Sequence, residues 1–171
     1  MSGRTVTLSA VLGVVLVAGA AGDVAAQPVE PHGAVTAVAK LYQDFAAEAV
    51  IDTPDLSILD LFSRPKATLA RYLDDDLIAL VLADRECAQR TQGVCNLDFA
   101  PIWDSQDMVG TTVKIEAGKD PSLVVVELRG PDPKEHRRLT YHMVKAPAGW
   151  RVHDIAYDSH ESLVKMLKKK P

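Results

Sequence analysis

The sequence is poor in cysteine. Its 171 residues hold two, Cys87 and Cys95, within the stretch DRECAQRTQGVC. A structural zinc site takes four ligands, and no histidine stands between these thiols or just beyond them. A redox pair has the closer Cys-x-x-Cys spacing, whereas seven residues intervene here. The phosphate loop GxxxxGKS and the nucleophile elbow GxSxG are both absent, which removes two recurrent signatures of phosphoryl and acyl transfer. Neither sign of charge dominates. Nineteen Lys and Arg stand against 23 Asp and Glu, a net charge of −4 that argues against general nucleic-acid binding. Lys168-Lys169-Lys170 is a small basic cluster suited to a solvated helix end. Internal repeats and low-complexity segments are also missing.

Long apolar runs are nearly absent too, and the one that exists sits at the start. Arg4 precedes an apolar stretch from Val6 to Gly22, which Asp23 ends. It is short for a membrane span, which needs about 20 strongly apolar residues. Val24-Ala25-Ala26 follows as a small-residue site, then Gln27-Pro28. Charge, apolar core and small residues in that order are the layout of a secretory signal peptide, residues 1–26, with cleavage between Ala26 and Gln27. Cleavage after Ala20 is the second choice, and an uncleaved membrane anchor is the competing reading. No cysteine follows the run, so a lipid-modified terminus is not available. The expected location is therefore the periplasm or the exterior, with no stable membrane span after cleavage. In that oxidising setting Cys87 and Cys95 read as a structural disulfide clamping a helix end to the next segment. Gly93 is the expected helix terminator. Two reduced, buried thiols are the alternative.

Residues 27–33 carry two prolines and a glycine and read as a flexible lead-in to one α+β domain over 34–171. Val35, Val38, Tyr42, Phe45 and Ala49 recur at helical steps, while Lys40, Asp44 and Glu48 fall off that face, predicting a helix over 34–50. A second helical pattern runs from Lys66 to Gln92, with Pro65 at its start. It divides at Asp74, whose carboxylate can cap a new helix. The triple aspartate Asp74-Asp75-Asp76 fits a charged helix start better than a calcium loop. After Cys95 the pattern becomes strand-like. An irregular strand is expected over 99–108, and regular strands over 111–116, 123–129, 137–145 and 150–157. A short basic helix over 160–169 closes the chain, capped by Ser159 or Asp158.

A register with Ile115 opposite Val124, Val126 opposite Tyr141, Met143 opposite Val152 and Tyr141 opposite Asp154 runs one apolar face across the four regular strands. The expected fold is α+β: N-terminal helices packed on a curved antiparallel four- to five-stranded sheet, with a short C-terminal helix.

Three pieces of the chain then look familiar. They are Tyr42, Asp44 and Phe45 as YxDF; Asp98, Phe99, Pro101, Ile102, Gln106 and Asp107 as DFxPIxxxQD; and Gly149–Tyr157 as GWRVxDIxY. Their order resembles the nuclear-transport-factor-2-like cone fold shared by ketosteroid isomerase and many small binding domains. More closely, the chain is similar to a bacterial periplasmic domain-of-unknown-function family over residues 34–167. The resemblance implies a fold and a compartment. That family has no agreed activity to carry over.

Three groups of side chains are candidates for chemistry. Asp154 with Tyr141 would place a carboxylate and a phenol in an apolar cup, as acid/base equipment for an isomerase or hydrolase. A buried structural hydrogen bond is the competing reading. His142 and His153, expected opposite each other on the outer face, would need a further ligand to hold a metal. Asp98, Asp104, Gln106 and Asp107 form an oxygen-rich segment that suits a cation, a polar ligand or a set of backbone-capping turns. Ser159-His160-Glu161 is adjacency in sequence, not the spatial triad that nucleophilic catalysis requires. No cofactor is expected.

The role expected from these features is binding. A small apolar or envelope-derived ligand would sit in the cup, or a protein partner on the open sheet face. A cofactor-free enzyme and a periplasmic immunity-type inhibitor are the alternatives. A homodimer through the sheet is compatible with either.

Overall fold

A computed structural model describes residues 33–51, 60–106, 111–132 and 134–169. The expected signal peptide, most of the lead-in and Asp107 lie outside these residues. The described part has helices first, then a four-stranded antiparallel sheet, then a short helix, an α+β arrangement. Helix α1 spans Gly33–Phe45 and α2 Lys66–Leu69. Helix α3 spans Asp75–Thr91 and α4 Leu163–Leu167. The strands β1 (Thr112–Ala117), β2 (Leu123–Arg129), β3 (His136–Ala146) and β4 (Gly149–Tyr157) pair in chain order. Among the described residues no helix is long and apolar enough to cross a membrane.

Alternation builds the sheet. Val124, Val126 and Leu128 of β2 are fully buried, as are Leu139 and Tyr141 of β3. Ala34, Val38, Leu41, Tyr42 and Phe45 on one face of α1 pack against them in the core. The sheet's apolar face is thus filled by side chains rather than left as a deep cup. Each buried Leu, Ile or Val contributes about 1.5–3 kcal/mol.

The helix boundaries follow local chemistry. Asp74 caps α3, its carboxylate accepting the Leu77 N–H at 2.9 Å. Asp75 and Asp76 then fall in the first turn, where negative charge suits the helix dipole. The division expected at Asp74 is therefore present. At the other end Gln92, not Gly93, takes the left-handed conformation, at φ 53°. Cys87 and Cys95 form a disulfide with Cα atoms 6.1 Å apart, tying the last turns of α3 to the segment that follows. Replacing both cysteines with serine is expected to cost about 2–3 kcal/mol by the chain-entropy argument for so short a loop. Equilibrium urea unfolding of the double variant reads this directly, and an unchanged midpoint would mean that the clamp adds nothing.

Four expectations are corrected. Helix α1 stops at Phe45 and passes into a 3-10 turn over Ala46–Ala49. The tighter winding turns Glu48 inward, where it is buried. The expected irregular strand over 99–108 contributes no strand to the sheet: its described part is a turn closed by a bridge between Ala100 and Ser105. The last helix begins only after Ser162, which makes no side-chain cap. The strand register also differs. β1 and β2 pair Ile115 with Val126, and β2 and β3 pair Val124 with Tyr141, each two residues from the expected alignment. β3 and β4 align as expected at Met143 and Val152, but a bulge between His142 and Met143 then shifts the pairing to His142–Asp154 and Tyr141–Ile155.

Candidate ligand-binding site

The bulge separates the first pair of candidates. Asp154 sits opposite His142, not Tyr141. Its carboxylate accepts the N–H groups of Ile155 and Val164, at 2.8 and 2.9 Å, and so caps α4. Tyr141 is buried, with its hydroxyl 2.9 Å from that of Tyr42. Tyr42 donates its own proton to the Ile102 carbonyl at 2.5 Å, so Tyr141 is the donor of the pair. Asp154 and Tyr141 therefore serve separate structural bonds and do not form an acid/base pair.

The two histidines are not register partners either. His142 is exposed on β3, while the bulge leaves His153 outside the pairing register and beside Asp74. The distance from His153 Nδ1 to Asp74 Oδ2 is 2.5 Å. The oxygen-rich segment, by contrast, is partly gathered. Asp98, Asp104 and Gln106 line one open cavity of about 660 Å³ with Phe99, Arg137 and His160. Asp104 holds His160 Nε2 at 2.6 Å and takes a left-handed φ of 52°. His160 Nδ1 faces the Glu161 carbonyl at 3.1 Å, so each ring nitrogen already faces an oxygen. Ser159 reaches Asp104 rather than the imidazole, at 3.4 Å. The arrangement is not that of a nucleophilic triad.

Under this cavity lies a buried clamp that periodicity alone does not reveal. Tyr42 binds the Ile102 carbonyl, Tyr157 donates to the Pro101 carbonyl at 3.0 Å, and Trp103 Nε1 donates to Glu48 at 2.7 Å. Burial pushes the Glu48 carboxyl up to about 7, and the Trp103 hydrogen bond only partly offsets that. The available signal was Trp103 itself, since a buried indole N–H needs an acceptor. Glu48 is not among the residues that line the cavity.

A cavity of about 430 Å³ opens where α1 meets the β3–β4 hairpin. This is within the range of small-molecule sites. Leu41, Met143 and Val152 form its apolar floor, and all three are buried. Trp150 supplies an aromatic wall, packed so closely on Gly33 that a Cβ there would lie 2.8 Å from the indole nitrogen. Lys40, Arg71 and Arg151 bring three cations to the same lining. Asp44 pairs with Lys40 at 2.8 Å and accepts the Tyr72 hydroxyl at 2.5 Å. Arg71 lies 5.9 Å from the Tyr72 ring centroid. Arg151 donates to the carbonyls of Ala70, Ala148 and Trp150, which orient it without cancelling its charge. Among the described residues neither Arg71 nor Arg151 forms an ion pair. A third cavity, also of about 430 Å³, combines Asp60, Asp84 and Arg85 with apolar neighbours.

Comparison with protein-family models, with curated proteins and with solved structures finds no match to this chain.

Proposed function

We propose that this protein is an envelope or secreted binding domain related to the cone-fold family it resembles. Its ligand would have an apolar or aromatic body and one anionic group, and would bind between α1 and the β3–β4 hairpin. The observation that carries this reading is the lining of that cavity. Buried Leu41, Met143 and Val152 offer apolar contact, Trp150 offers a ring, and Arg71 and Arg151 offer charge held in no close ion pair among the described residues. A few placed polar groups around an apolar floor are the usual make-up of a small-molecule site. The Cys87–Cys95 disulfide supports an oxidising compartment. Helices packed on one face of an antiparallel meander support the cone-fold relationship.

The probe is 8-anilinonaphthalene-1-sulfonate, an aromatic body with one sulfonate. It is expected to bind saturably, one per chain, with enhanced fluorescence. Arg71→Glu reverses an exposed charge at the rim and is expected to weaken binding about tenfold, roughly 1.4 kcal/mol, without unfolding the chain. Absence of saturable binding would shift the reading from this cavity to a protein partner on the open sheet face.

A further inference from the structure

The geometry points to a divalent transition-metal site formed by Asp74, Asp76 and His153, separate from the ligand cavity. One ligand atom from each residue lies within 4.8 Å of the other two. Among the described residues no other group of three or more His, Cys, Asp or Glu side chains meets that test.

The three donors come from distant parts of the chain, and backbone contacts hold those parts together. Leu73 forms a parallel bridge with Val152. The Asp74 N–H donates to the Val152 carbonyl at 3.0 Å, and the Val152 N–H to the Tyr72 carbonyl at 2.8 Å. The bridge brings the start of α3 to the exposed edge of β4. The β4 bulge leaves His153 there, with its ring nitrogen toward Asp74. Asp74 is held by a second bond, its other oxygen accepting the Leu77 N–H. A carboxylate whose second oxygen is aimed by such a bond is an oriented ligand.

The donor set selects the kind of ion. One imidazole nitrogen and two carboxylate oxygens suit zinc, cobalt or manganese; calcium prefers oxygen donors throughout. The imidazole also distinguishes this site from an acidic helix start, where carboxylates merely answer the dipole. Two carboxylates bring a formal charge of −2, which outweighs the roughly half charge of the α3 N-terminus. His153 would bind through its Nδ1 lone pair, the nitrogen that faces Asp74 Oδ2. Asp76 is exposed, and the His153 side chain keeps 43 % of its surface in solvent. Coordination positions therefore remain for water or a ligand.

The test is calorimetric titration of the folded, disulfide-intact protein with Zn(II), paired with Co(II) absorption spectroscopy. One ion per chain is expected, with Co(II) ligand-field bands that Zn(II) abolishes. His153→Ala and Asp76→Ala are each expected to weaken binding at least about tenfold. His142→Ala, outside the cluster, is expected to leave it unchanged. Asp76 is exposed, so its variant carries the test even if loss of His153 disturbs folding. No saturable binding by the parent protein, or binding unchanged in Asp76→Ala, would overturn the site. This result is independent of the anilinonaphthalene experiment, because a metal-free protein would leave the α1–hairpin cavity untouched.

Discussion

At pH 8, Glu48→Gln is expected to raise the free energy of unfolding by about 3 kcal/mol, and below about pH 4.5 to change it little. The carboxyl is buried beneath Trp103, and desolvation raises its pKa from 4.5 to about 7. Between those values the folded chain keeps a proton that the unfolded chain releases. The group's contribution is therefore fully present below about pH 4.5 and is lost as pH rises through about 7. Glutamine keeps an acceptor for the Trp103 N–H and removes the charge. Urea unfolding from pH 4 to 9 checks the prediction: the parent loses stability across this window relative to the variant. Parallel curves would mean that Glu48 ionises without cost. That outcome would contradict its burial.

Tyr42→Phe is expected to destabilise the chain by about 2–4 kcal/mol, because one hydroxyl serves two buried partners. Its loss removes the donor to the Ile102 carbonyl and the acceptor for the Tyr141 hydroxyl. Tyr157→Phe removes only the bond to the Pro101 carbonyl and should cost about half as much. Unfolding midpoints separate the two variants. Hydrogen exchange adds a local readout: the amides of Ile102 and Trp103 should lose more protection in Tyr42→Phe than those of β2. Equal effects from both tyrosines would contradict the double role of Tyr42.

The helices and the buried sheet face were largely legible, because both rest on periodicity. Asp74 announced the start of α3, and alternating Val124, Val126 and Leu128 marked the inner face. The β1–β2 and β2–β3 registers were two residues off because a slip of two keeps every side chain on its face. The loops decide between such alignments: Gly118 and Leu123 close one hairpin, and Gly130 and Glu135 the next. The bulge at His142–Met143 carries no glycine to betray it, yet it alone separates Asp154 from Tyr141. Glu48 was hidden for a different reason. A 3.6-residue period puts it outside, whereas the 3-10 turn that ends α1 winds it inward. Asp98, Asp104 and Gln106 do reach one cavity, because a local turn gathers neighbours in sequence. Asp74 and His153 are 79 residues apart and meet through a bridge one residue long, too short for any pattern to show.

The chain has two tryptophans, and they give the central proposal its most direct test. Trp150 lines the α1–hairpin cavity, while Trp103 is buried with its N–H bound to Glu48. Their indole N–H signals can be followed by two-dimensional NMR during titration with 8-anilinonaphthalene-1-sulfonate. Binding in the proposed cavity shifts the Trp150 signal in a saturable way and leaves that of Trp103 in place. A Trp150 signal that stays fixed while the probe binds would place the ligand elsewhere and contradict the assignment of this cavity.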